Sequence, residues 1–238
     1  MTTAIQPASE TQEAKKQRVK RIIRILERTY PDTRLALNFS TPLELLIALI
    51  LAAQCTDERV NRVTATLFKK YRTAQDWANA DQRTLEEEIR STGFYRNKAK
   101  AIRECCQALV TRYHGEVPTT LDELLTLPGV GRKTANILRG NVFGQPAIGV
   151  DTHVARLAQR LGLTTHTDPD KIEHDLDPLV PDKDKVRFCH LLQAHGRTVC
   201  LARKPKCSEC VIAELCPYPT NTPSSVPSRR ARRSNRRS

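Results

Sequence analysis

Helix-opening signals recur along this chain, and no stretch of it alternates as a half-buried strand must. Thr41-Pro42-Leu43-Glu44 joins a capping box to proline at the first helical position and opens an apolar run to Ala53. Thr120-Leu121-Asp122-Glu123 repeats the box, Asp168-Pro169 starts another helix, and Thr73 and Asp81 are further starts between them. Val19, Ile22, Ile23 and Leu26 recur at helical spacing, with Lys20, Arg21, Arg24 and Arg28 on the other faces. That stripe reads as a core face with a solvated basic back, the alternative being a helix lying on a membrane surface. No hairpin dipeptide stands between alternating apolar residues. The body is therefore expected to be all-α.

The 238 residues allow one large or two modest domains, each with its own core. Residues 1–14 are polar and unpatterned, and residues 217–238 are rich in proline and arginine. Neither composition can build a core, so both tails are expected to be disordered. The chain carries a formal charge of +13, and Arg229, Arg230, Arg232, Arg233, Arg236 and Arg237 in the second tail supply six of these charges. The body is basic without them. A polyanionic partner follows, nucleic acid ahead of an anionic membrane, and the tail is either a solubilising extension or an electrostatic arm. The most apolar run, Leu43 to Ala53, is about half of the roughly 20 residues that a membrane span needs, and Glu44 interrupts it. The first residues lack the apolar core of a signal peptide, which points to the cytoplasm.

In that compartment eight cysteines mean free thiols or metal ligands before disulfides. Cys200, Cys207, Cys210 and Cys216 fall within seventeen residues, a density that implies tetrathiolate metal binding. Spacing alone leaves zinc and an iron–sulfur cluster both open, although a single close pair suits zinc less well. Arg203, Lys204 and Lys206 lie between the first two candidate ligands, and a loop pinned at both ends would hold them outward toward a phosphate. Cys55, Cys105, Cys106 and Cys189 are scattered and read as ordinary thiols.

The segment with most chemistry is Leu127-Pro128-Gly129-Val130-Gly131-Arg132-Lys133-Thr134-Ala135, followed by Val150-Asp151-Thr152-His153. A glycine turn that opens a helix offers free N–H groups and the positive end of the helix dipole, which suits a phosphate. That end also disfavours a further cation, so an amine placed there suits nucleophilic work. Lys133 is that amine, and its other reading is a plain phosphate-binding cation. Asp151 precedes a helix and can serve as an N-cap, as a catalytic carboxylate, or as both.

These segments, with Gln54-Cys55-Thr56-Asp57, Thr92-Gly93-Phe94-Tyr95-Arg96-Asn97-Lys98 and His195-Gly196-Arg197, resemble the endonuclease III family from about Leu35 to Cys216. These are DNA glycosylases and abasic-site lyases of the helix-hairpin-helix superfamily. The resemblance implies a continuous six-helix domain at 35–146 that ends with the hairpin. A second domain would join the N-terminal helix, 15–34, to residues 147–216 and carry a [4Fe–4S] cluster on Cys200, Cys207, Cys210 and Cys216. A monomer would bind damaged double-stranded DNA between the two. Lys133 would form a Schiff base with the sugar, and Asp151 would stabilise positive charge as the base leaves. The hairpin residues Leu127, Gly129, Val130, Gly131, Arg132 and Thr134 would hold the DNA backbone. Gln54 would fill the gap left by the flipped base, and Phe94 would wedge against the opposite strand. Well-known members carry leucine at the position of Phe94 and alanine at that of Cys55, so a core role for Phe94 is the alternative. The adenine-specific mismatch glycosylase lacks the lysine and has a further C-terminal domain. A non-catalytic hairpin DNA-binding protein and a zinc-stabilised RNA-binding protein are the readings outside catalysis on DNA.

Overall fold

The computed structural model describes residues 10–218. The expected disorder of residues 1–9 and the reading of the arginine-rich stretch from 219 onward lie outside the described residues. Every regular element described is helical: α1 (Gln12–Thr29), α2 (Pro42–Ala52), α3 (Asp57–Lys70), α4 (Ala74–Ala78), α5 (Gln82–Glu88), α6 (Tyr95–Tyr113), α7 (Leu121–Leu125), α8 (Arg132–Asn141), α9 (Thr152–Arg160), α10 (Pro169–Leu176) and α11 (Lys185–Thr198), with four short 3₁₀ turns.

The boundaries follow from capping chemistry. Thr11, Thr41, Thr56, Thr73, Asp81, Thr120, Asp151 and Asp168 each accept a hydrogen bond from an N–H of the helix they precede. Each satisfies a donor that the first turn leaves without a partner. Thr11 starts α1 inside the stretch 1–14 expected to be disordered, and the Glu10 carboxylate pairs with Arg18 at 2.6 Å. Local capping thus extends the helix ahead of its apolar stripe. At the other end Tyr218 is also ordered, its ring 4.6 Å from the Arg160 guanidinium.

Two hydrophobic cores organise the helices. The first runs from Leu37 to Leu138, around the almost wholly apolar α2 and the indole of Trp77. Residues 35–146 hold seven α-helical segments where six helices were expected, because α4 and α7 are separate pieces of five residues each. The second core joins Val19, Ile22, Ile23 and Leu26 of α1 to residues 148–212, including Leu157, Phe188 and Leu192. Burial of the α1 stripe removes the reading of a membrane-surface helix. No helix among the described residues is long and apolar enough to cross a membrane. Helices α8 and α11 pack together between the cores, and a Cβ at Gly140 would lie 2.5 Å from Val186 Cγ2.

Candidate active site and metal centre

The turn between α7 and α8 depends on Gly129, whose φ of +77° suits glycine and whose Cβ position lies 3.1 Å from Ala101 Cβ. The flanking Leu127 and Val130 are 3% and 7% exposed, and the Val130 N–H is bonded to the Leu127 carbonyl at 3.1 Å. Both were expected to hold DNA as part of the hairpin, and their side chains anchor that hairpin in the first core. Gly131 opens α8 with no side-chain cap, and no atom lies within 4 Å of its Cβ position. The N–H groups of Arg132, Lys133 and Thr134 therefore face outward without intrahelical acceptors. The Arg132 guanidinium is forked onto Glu173 of α10, Nε to Oε2 at 2.7 Å and Nη2 to Oε1 at 2.9 Å. A carboxylate already occupies both ends of that fork, so its side chain ties α8 to α10 and is not free for a phosphate.

Lys133 projects into a cleft of about 490 Å³ between the cores, with Asp151 on its wall. The lysine is exposed and makes no side-chain hydrogen bond or ion pair among the described residues. Asp151 Oδ1 accepts from the N–H groups of His153 and Val154, at 2.9 and 2.8 Å. Its Oδ2 takes no hydrogen bond among the described residues, so one oxygen caps α9 and the other is available to the cleft. Asp57, His153, Gln193 and Arg197 also line the cleft, and Arg197 bridges to Asp57 at 3.1 Å, joining α11 to α3. None of these four was singled out from sequence. Asp57, His153 and Arg197 lay in quoted motifs, but nothing local marks Asp57 and Arg197 as facing each other over 140 residues. Burial holds His153 below its ordinary value, which favours the neutral imidazole beside Asp151.

Two further positions are held in unusual backbone. Gln54 and Phe94 have φ of +53° and +47°, in the left-handed region that residues other than glycine seldom occupy. Both are exposed, and Phe94 is 62% accessible, so it is not a core residue. Arg203, Lys204 and Lys206 are likewise exposed on the loop before Cys207.

Cys200, Cys207, Cys210 and Cys216 line a single cavity, walled by Leu157 and Ile212. No three His, Cys, Asp or Glu side chains among the described residues converge as a one-ion site requires. Burial pushes the Cys210 and Cys216 thiols up, so they become thiolates only against a cation. Arg160 Nη1 stands 3.2 Å from Cys200 Sγ, and His195 Nε2 is 3.3 Å from Cys210 Sγ. The Arg160 guanidinium donates to the Cys200 sulfur, which matches a cluster held by charged thiolates.

Residues 47–182 match the model of the HhH-GPD superfamily base excision DNA repair proteins, and residues 200–216 match the iron–sulfur binding domain of endonuclease III. The chain belongs to the endonuclease III family. It is 53% identical to endonuclease III of Synechocystis sp. over 86% of this chain and 94% of that protein. Two solved structures, a non-covalent endonuclease III–DNA complex and a trapped endonuclease III–DNA covalent intermediate, each share 43% identity at a TM-score of 0.81. They cover 86% of this chain, and 96% and 97% of theirs. The endonuclease III match also decides between zinc and iron: the cofactor is a [4Fe–4S] cluster.

Proposed function

We propose that this chain is a bifunctional DNA glycosylase and abasic-site lyase of base excision repair, acting on oxidised pyrimidines in duplex DNA. One observation carries the reading: an unpaired lysine and a half-engaged carboxylate share a cleft at the mouth of an uncapped helix. The relative trapped as a covalent DNA intermediate supports it.

In this reading the damaged nucleotide turns out of the duplex into the cleft. The Lys133 nitrogen bonds to the anomeric carbon while the glycosidic bond breaks and the base leaves. Asp151 Oδ2 stabilises the positive charge that develops on the sugar and takes up the proton the amine loses. Opening of the sugar ring leaves an iminium between lysine and carbon. That electron sink acidifies the neighbouring C2′–H, so loss of its proton expels the 3′ phosphate and breaks the strand on that side. Gly129, Gly131 and Thr134 hold the backbone through main-chain N–H groups. Gln54 fills the vacated gap and Phe94 wedges the opposite strand.

Cys200, Cys207, Cys210 and Cys216 would hold the cluster, which would tie their loop together, and the pinned loop would present Arg203, Lys204 and Lys206 to a phosphate. Residues 35–146 form one domain, and residues 15–34 with 147–216 form the other. The protein works as a monomer in the bacterial cytoplasm.

The test is borohydride trapping on duplexes that carry an abasic site or thymine glycol, with Lys133→Gln as control. Covalent complexes on both substrates, lost in the variant while abasic-DNA binding survives, are the expected result. Trapping on the abasic duplex alone would leave the lyase and remove the oxidised-pyrimidine assignment. No trapping would point to a protein that binds damage without the lysine chemistry.

A further inference from the structure

Lys98 is a charged side chain with no part in the chemistry above, yet it is only 5% exposed. It lies one turn into α6, and its Nζ donates to the carbonyls of Leu51 and Thr92, both at 2.8 Å. Leu51 is in the last turn of α2, three residues before Gln54. Thr92 ends a 3₁₀ turn two residues before Phe94, and the Lys98 N–H itself bonds the Phe94 carbonyl at 3.0 Å. No carboxylate pairs with the ammonium among the described residues, and its burial disfavours the charge. An apolar side chain would fill the same space without that penalty. What a lysine adds is donors to two carbonyls at helix C-terminal ends, where a positive group is favoured. These carbonyls belong to the two segments that end in the left-handed residues Gln54 and Phe94.

We propose that Lys98 is a positioning residue, a buried cross-tie that fixes the separation of Gln54 and Phe94 so that both enter the duplex together. The inference rests on the insertion reading of those two side chains. A side chain that must fill a gap one base thick cannot tolerate an ångström of drift in its backbone, and two such chains must also agree with each other. A single ammonium bonded to both backbones imposes that agreement before DNA arrives.

The experiment uses the full-length holoenzyme with Lys98→Met, which keeps the length and removes the donors, and Lys98→Gln, which keeps a shorter donor. Two substrates are compared: a thymine glycol duplex, and an abasic site opposite a one-nucleotide gap, where no opposite base needs wedging. Excision from the intact duplex is expected to fall about tenfold to a hundredfold in Lys98→Met, the scale of a small misplacement. Trapping at the gapped site should stay near wild type, with Lys98→Gln between the two on the duplex. The fluorescence of 2-aminopurine opposite the lesion should lose its rise on binding. Trapping at the gapped site also counts the folded active fraction, so either variant that folds decides the matter. Equal losses on both substrates would make Lys98 a general structural residue and overturn the proposal. Gln54→Ala and Phe94→Ala are run beside it. If they lose duplex excision and Lys98→Met does not, the cross-tie fails and insertion stands. If neither loses it, the insertion reading fails and the cross-tie with it.

Discussion

Asp151 divides two tasks between two oxygens. Oδ1 accepts the N–H groups of His153 and Val154, while Oδ2 is left to the cleft that holds Lys133. Substitution can separate them. Asp151→Asn retains an oxygen for the cap, so the melting temperature should stay close to wild type. Excision should nevertheless fall about 10²- to 10⁴-fold, because the charge is gone. Asp151→Ala loses the cap as well and should cost about 1 kcal/mol in a urea titration. Full activity in Asp151→Asn would reduce the residue to a cap. The capping half of this role is legible in sequence, since an acidic residue before a helical pattern is a local signal. The second oxygen is not, because only the tertiary fold brings Asp151 and Lys133 into one cleft. Leu127, Val130 and Arg132 show the same limit. Their motif marks a turn, but which side chains face the core, and that Glu173 waits for Arg132, depends on distant elements.

Helix starts separate the scaffold from the site. Eight begin with a side-chain cap, and α6, α8 and α11 do not. Two of those three open at Phe94 and beside Lys133, both assigned to the site in the proposed function. Gly131 has φ of −93° and open space around its Cβ position, so nothing steric requires glycine there. Gly131→Asp should therefore cap α8 and raise stability by about 0.3 kcal/mol. The same carboxylate would occupy the N–H groups that the proposed function assigns to a phosphate, and affinity for abasic DNA should drop about tenfold or more. Gly131→Ala, which adds no charge, should bind nearly as wild type. Calorimetry and fluorescence anisotropy measure the two effects. Unchanged binding by the aspartate variant would mean that this helix start does not face the backbone.

At the scale of the molecule, the cleft exists because two cores meet along α8 and α11, fastened by Arg132–Glu173 and Arg197–Asp57. At Gly140 the helices come close enough that a Cβ would meet Val186 Cγ2 at 2.5 Å. Gly140→Ala should cost about 1–3 kcal/mol from overpacking, and Val186→Ala in the same chain should recover part of it. Additive losses in the double variant would show that the clash is relieved elsewhere. By itself the sequence determined what short-range chemistry can specify. The helical class, the cap positions, the glycine hairpin and the cysteine spacing all rest on residues within a few positions of one another. The tertiary structure alone decided that the side chains of Leu127 and Val130 are buried, that Arg132 is tied to Glu173, and that Lys98 reaches two carbonyls. Each of these depends on groups far apart in the chain, brought together by apolar burial, which has no direction and so leaves no local signature.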